Sequence, residues 1–519
     1  MIFLPMPLQK AANRHNGDRS ITPTLTGVMP TPVPALRTDL PPIMPKSSYR
    51  AGSGIRGVRL ANLAVFGTLI VAVCLLGGAS RHDVLSLILL RPLAVLALGY
   101  ALLAGGLPRG RACVPFVLLV ALILLMIAQL VPLPPGVWST LPGREAVAQL
   151  DGQLGIAGTW RPLSLAPGRT VNSLFALSVP LAIFLLYRIQ EPTTKSRIVW
   201  LIVALGVASM AWGMLQLAGG GGSFFYTYRI HTDDRPIGFF ANRNHQAIFI
   251  ALTILFAGIL MDRALRQGGQ RVALTMTALA GYVVLALAFE FILGSRGGLL
   301  LATMATVAIA LTLAFSPAFI AKMSVSGSTA RASIARLRRP WLLVGAFGVG
   351  LTGLFALAAS LNRNEALARM WSSGDTARYD RVAVLPYLAR MVRDQFPFGS
   401  GFGSFDALFR TYEIRDFLTT FYLNQAHNDW LQLLIEGGLV AGAIAVAFVV
   451  WVGAQAVRLR GDSVGLLLVG VLGALAFASI FDYPLRVPIL MAVCVLTVCS
   501  LADREPGADT FTGGTGRVL

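Results

Sequence analysis

Residues 272–316 read VALTMTALAGYVVLALAFEFILGSRGGLLLATMATVAIALTLAFS. Two apolar runs, each about 20 residues long, are joined only by Gly294, Ser295 and Arg296. A run of that length crosses about 30 Å of hydrocarbon as a helix. The pair therefore reads as a helical hairpin through a membrane, with one arginine at its tip. The same pattern recurs on both sides. Twelve apolar spans are expected at about 60–79, 84–106, 113–132, 173–187, 198–218, 244–261, 272–293, 297–316, 341–361, 435–457, 464–481 and 487–502. The fold class is an all-α, polytopic membrane bundle.

Composition agrees. Of 519 residues, 55% are apolar and only 13% charged, about half the charge of a soluble domain. Residues 1–59 are rich in Pro, Arg and Ser without helical period and read as a disordered tail. MIFLPMPLQK is too short and too proline-broken for the apolar core of a cleavable signal, so the first span supplies targeting. Residues 503–519 form a short polar tail. The net charge is +19, but the basic residues sit mostly in short loops, as membrane topology requires. Nucleic acid is excluded as a partner on that ground. Only four basic residues are Lys, so Arg is the default base of this chain. Cys74, Cys113, Cys494 and Cys499 all lie in apolar spans without metal-ligand spacing.

With the N-terminus inside, the short inner loops carry 15 Lys and Arg and the short outer loops 6. Both termini are then cytoplasmic. Residues 362–434 form an outer segment between the ninth and tenth spans, with eight Arg and eight Asp or Glu. RYDRVAVLPYLARMVRD, interrupted by Pro386, and DALFRTYEIRDFL have helical spacing, so this loop is expected to be structured. The alternative is a passive cap.

Three places hold residues suited to chemistry. In NQAHNDWLQLLIEGG, a helix starting at Asn424 or Gln425 sets His427 on one face with Leu431, Leu434 and Gly438. An imidazole there serves as a base near neutrality, or simply snorkels at the interface. Arg296, flanked by Ser295, Gly297 and Gly298, sits where a bulky anion can approach closely. Its two N–H donors suit a diphosphate; the alternative is an interfacial anchor. The outer loop GGGGSFFYTYRIHTDDRPIGFFANRNHQA carries Arg229, Arg235, Arg243, His231 and His245. Three arginines there run against the topological bias and favour an anionic ligand. GSGFGSF at 399–405 lacks the context of a nucleotide fingerprint and reads as a tight turn beside a site. Arg91 and Glu290 lie inside spans, where charges are costly and take functional or paired roles.

These pieces, in this order, resemble the O-antigen ligase and Wzy-type polymerase superfamily of bacterial inner-membrane glycosyltransferases. The carriers are WRPLSLAPGRT at 160–170, RPIGFFANRNHQA at 235–247, SRGGLL at 295–300, PFGSGFGSF at 397–405 and HNDWLQLLIEGGLVA at 427–441. Two positions depart: Asn242-Arg243-Asn244 replaces the commoner Asn-Pro-Asn, and Ala441 stands where Gly, Thr or Tyr is usual.

The resemblance implies transfer of a glycan from an undecaprenyl-diphosphate carrier at the periplasmic face. The acceptor is a hydroxyl on lipid A core or, in a polymerase, on a growing chain. By the same resemblance His427 activates the acceptor, Arg296 and Arg235 hold the diphosphate, and Arg229, Arg243, Asn244, Arg378, Arg381 and Asn428 support them. No outer D-x-D or Asp cluster points to a divalent ion, so neither metal nor cofactor is expected. Protein O-glycosylation is a further variant. A twelve-span transporter is disfavoured by the missing internal repeat, and a passive scaffold leaves the outer arginines unexplained.

Overall fold

The computed structural model describes residues 47–220, 222–232, 235–268, 271–316, 381–413 and 423–506. The chain divides into two units, Met1–Ser53 and Gly54–Leu519. Of the first, only the helical residues 47–53 are described; the second holds the helical bundle.

Helices dominate: α1 Ser47–Leu76, α2 Leu87–Leu103, α3 Cys113–Ala128, α4 Pro135–Trp138, α5 Glu145–Gln153, α6 Pro167–Ala176, α7 Ser178–Arg188, α8 Pro192–Gly219, α9 Arg243–Gln267, α10 Val272–Leu293, α11 Arg296–Ala314, α12 Arg381–Gln395, α13 Phe405–Phe409, α14 Asp429–Arg458, α15 Ser463–Ala478 and α16 Pro488–Asp503. One two-residue antiparallel pair, β1 Pro132–Leu133 with β2 Arg161–Pro162, closes the segment after α3. Eight helical segments are long and apolar enough to cross a membrane, and α2, α15 and α16 are shorter apolar helices. Eleven of the twelve expected spans thus correspond to described helices. The ninth, 341–361, lies outside the described residues. Helix α1 begins at Ser47, ahead of the expected start near 60. Pro386 lies inside α12 without ending it; of DALFRTYEIRDFL, the start is helical in the short α13, and residues 414–418 lie outside the described residues.

The bundle is organised around α9. Between its polar ends it is almost wholly apolar, from Ala247 to Met261, and such a helix is stable only when enclosed. Nearly all of it is buried, packed against α8, α10, α11 and α15. Helices α2, α7 and α16 form a second contact group, and α3 packs on α14. Large apolar side chains such as Leu89, Leu96, Leu285 and Val450 point outward; hydrocarbon, not water, is the medium that accommodates them. This is a multi-pass membrane protein. Val384, Leu388 and Met391 of α12 recur at i, i+4 and i+7 and pack with Phe405, Phe409 and Ile435, which seats α12 and α13 over the start of α14.

Candidate active site

Helix α14 does not begin where its apolar face predicts. Asn428 is the N-cap, its side chain accepting from Leu431 N at 3.0 Å. That bond satisfies a donor the first turn leaves open, worth about 1 kcal/mol. His427 therefore lies outside the helix, not on a face with Leu431, Leu434 and Gly438. It adopts φ +51°, a left-handed conformation that costs a non-glycine residue about 1–3 kcal/mol and persists where surrounding contacts enforce it. The loop is tied down by Asp429 N donating to Ser479 O and by Ala426 N donating to Gln432 Oε1. The outcome is an imidazole held edge-on to Tyr483, with ring centroids 4.8 Å apart, and 21% exposed.

Behind His427 stands Asp482, buried in the loop between α15 and α16. Its Oδ1 lies 3.7 Å from His427 Nδ1 and 3.6 Å from His245 Nε2; its Oδ2 accepts from Asn244 Nδ2 at 3.0 Å. The two imidazole contacts exceed hydrogen-bond length. Burial pushes the Asp482 carboxyl up, but the facing imidazoles of His245 and His427 outweigh it and hold the group well below the usual carboxylate range. Asp482 is thus a fixed anion beneath two histidines. Tyr483 also meets His245 edge-on, at 5.1 Å.

Asn244 links this carboxylate to the arginine at the hairpin tip. Its Oδ1 accepts from Ser295 Oγ at 3.0 Å. Gly294 ends α10 in the left-handed region, φ +66°, and Ser295 caps α11 by accepting from Gly298 N at 3.2 Å. Arg296 is the first residue of α11 and is exposed. Arg235 reaches over the same turn: a Cβ at Gly294 would lie 3.4 Å from its Nη1. Neither arginine has an acidic partner among the described residues. The loop carrying Arg235 is held by Tyr226 Oη donating to Arg235 O at 3.0 Å and by a two-way exchange between Gln216 and Gly238.

The glycines beside Arg296 do not leave space for a ligand. A Cβ at Gly297 would stand 2.5 Å from Phe481, and one at Gly298 would strike Ala247 of α9. Their smallness serves helix packing. Arg229 is exposed on its loop, and Arg243 is half-buried at the start of α9. Arg378 and the side chain of Arg381 lie outside the described residues.

The glycine turn at 397–405 locks a break in α14. Gly438 has φ 61° and ψ −153° inside that helix, and the backbone it frees is taken up by the turn. Ser400 N donates to Ile435 O, Gly401 N to Glu436 O and Leu439 N to Pro397 O. A side chain at Gly438 would strike Pro397 O. WRPLSLAPGRT closes the same knot through Leu165 N to Ser400 O and Thr170 Oγ1 to Phe402 O. Buried Arg144 reaches Leu163 O, Gly399 O and Gln395 Oε1. Glu436 and Asp429 each meet Arg486 at 3.1 Å, tying the loop that bears Asp482 to α14.

Residues 281–446 match the family model described as O-antigen ligase. That stretch, about a third of the chain, is similar to the O-antigen ligase family. No curated protein matches the chain. The matched stretch holds Arg296, the glycine turn, His427 and the Gly438 break, while Arg235, Asn244, His245 and Asp482 come from outside it. The structure thus brings His427, Asn244, Arg296 and Arg235 together. Asn428 acts as a helix cap. Sequence reasoning misses Asp482 and does not join His245 to His427. The available signal is FDYPLR at 481–486, a lone acidic residue in a short loop between two spans.

Proposed function

We propose that this protein transfers a glycan from an undecaprenyl-diphosphate carrier to an acceptor hydroxyl, as an O-antigen ligase does with lipid A core. The observation that carries this is the linked chain His427–Asp482–Asn244–Ser295, ending at Arg296 and Arg235. It sets a base and a pair of diphosphate donors beside one another on one membrane face. His427 presents Nδ1 to Asp482, which leaves Nε2 for the acceptor O–H. As that proton moves to Nε2, the oxygen attacks the anomeric carbon, and the bond to the carrier diphosphate breaks with inversion. Asp482 stabilises the imidazolium that forms. Arg235 and Arg296 meet the charge growing on the leaving diphosphate, assisted by the positive end of α11.

The positive-inside bias supports placing this face in the periplasm and both termini in the cytoplasm of the inner membrane. The test supplies purified protein with a carrier-linked glycan and a lipid A core acceptor. Ligase action yields glycan on the core with an inverted anomeric bond. Extension of the carrier-linked glycan instead makes it a polymerase, and retention of configuration contradicts the single displacement.

A further inference from the structure

Helices α2, α3, α7, α14, α15 and α16 surround a chamber of about 440 Å³ whose lining includes none of Arg235, Arg296, His427 and Asp482. Its lining changes with depth. At the loop level stand Arg81, His82, Arg91, Arg169 and Arg486; deeper, it is carbon, as at Leu118, Phe184, Phe448 and Val498. Lining residues on α3 run from Pro115 to Met126, and on α16 from Met491 to Val498. The α3 stretch corresponds to about 15 Å of depth. The shape is a cationic collar above a hydrocarbon well.

Most collar charges are already matched. Arg486 meets Asp429 and Glu436, Arg169 lies 3.3 Å from Asp406, and Arg81 lies 3.0 Å from Asp83. Arg91 is the exception. It has no acidic partner among the described residues, and its Nε is buried without a hydrogen bond. It sits about one turn inside α2, where an uncompensated charge is expensive. His82 adds a donor. Arg169 Nη1 lies 2.6 Å from His82 Nδ1; a guanidinium can only donate, so Nδ1 accepts and Nε2 carries the proton. Burial, then Arg169, lowers the pKa of this imidazole, which favours the neutral donor.

The chamber also adjoins the lipid-facing surface. A second cavity, about 400 Å³, shares His82, Leu87 and Arg91 with it. That cavity is also lined by Leu85, Ile88 and Phe175, which are 79%, 67% and 52% exposed on the outside of the bundle. Arg91 stands between the two spaces. At its other side the chamber meets Asn424 and Gln425, which lead into His427.

We propose that the chamber binds a phosphorylated lipid, phosphate at Arg91 and His82 and tail in the well, at a site separate from the Arg235–Arg296 pair. The lipid enters between α2 and α6. That it is the acceptor substrate rests on the transferase reading; the lipid site itself does not. An acylated sugar phosphate and a polyprenyl phosphate share the required chemistry.

Photolabelling of the full chain in maltoside micelles tests this. Each lipid is supplied with a diazirine in its tail, as the phosphate and as the dephosphorylated counterpart. The expected result is labelling of α3 and α16 at least ten-fold stronger with the phosphate of one probe, and that probe identifies the source. Arg91→Gln removes the difference and Arg91→Lys keeps most of it, which separates lost charge from lost folding. His427→Ala keeps the labelling, so failure of the transferase reading leaves this result standing. Equal labelling by the dephosphorylated probes, no label in the chamber, or indifference to Arg91→Gln overturns the proposal.

Discussion

Two groups of arginines at opposite ends of the bundle play opposite parts. Where α16 ends, Arg504 sets two nitrogens on buried Asp462, at 2.5 and 2.7 Å. Nearby Arg266 meets Asp262 at 2.6 Å, and Arg188 and Lys195 share Asp503. At the opposite face Arg235 and Arg296 have no acidic partner among the described residues, although Asp482 is only two hydrogen-bonded residues away from Arg296's turn. The carboxylate there faces histidines instead. An arginine that closes its own ion pair fixes helices; one left open keeps both donors for an anion. A count of basic residues treats the two alike, and only the position of the carboxylates tells them apart.

The largest effect expected from this contrast is at the open pair. Arg296→Ala should lower turnover by about 10²–10³-fold, the usual cost of losing a donor to developing negative charge, with the melting temperature little changed. Arg235→Ala should behave alike. A normal rate in either variant, measured by transfer from a carrier-linked glycan, would remove that arginine from the open class.

Asp482→Asn comes next, at about 10–10²-fold in turnover, because the imidazolium loses its counter-charge while the ring keeps its place. The stability arm has a defined sign. The Asp482 carboxyl is depressed in the folded state, so its contribution is complete above the unfolded value near 4. It is lost as pH falls through the lower folded value. The melting-temperature advantage of wild type over Asp482→Asn should stay constant from pH 7 to about 4 and shrink only below that.

At the closed pairs the balance reverses. Arg504→Ala leaves Asp462 as a buried, less compensated charge, a change that typically costs about 3–5 kcal/mol. Thermal unfolding should register it clearly, while turnover per folded molecule stays near wild type. The smallest effect is at Asn428. Replacing this cap by Ala should cost about 1 kcal/mol, with a modest loss of turnover through the adjoining His427 loop.

How much of the molecule is legible in the sequence depends on range. The apolar runs act locally, so the spans and the hairpin tip at Arg296 can be read directly. His427 can be found from its motif, but its conformation cannot. The apolar face favours a helix start at Asn424 or Gln425, and the Asn428 side chain wins that competition by capping Leu431 N. Gly297 and Gly298 suggest room for a ligand, but the occupants are Phe481 and Ala247 from distant segments. Asp482 carries no periodic or motif signal, and its partner Asn244 is 238 positions away in the chain. That contact exists only once α9 is buried at the centre of the bundle. The glycines at 399–403 mark a turn by composition, but the helix break at Gly438 that receives it emerges only from the packed backbone.

The most direct measurement pairs donor binding with transfer in His427→Ala. Binding of a carrier-linked glycan is followed by fluorescence or calorimetry, and transfer by product analysis in the same preparation. Donor affinity should stay within about two-fold of wild type, and transfer should fall by about 10²–10⁴-fold, the usual worth of a general base. Transfer at the wild-type rate, or loss of donor affinity equal to that of Arg296→Ala, would contradict the division between a histidine that activates the acceptor and arginines that hold the donor.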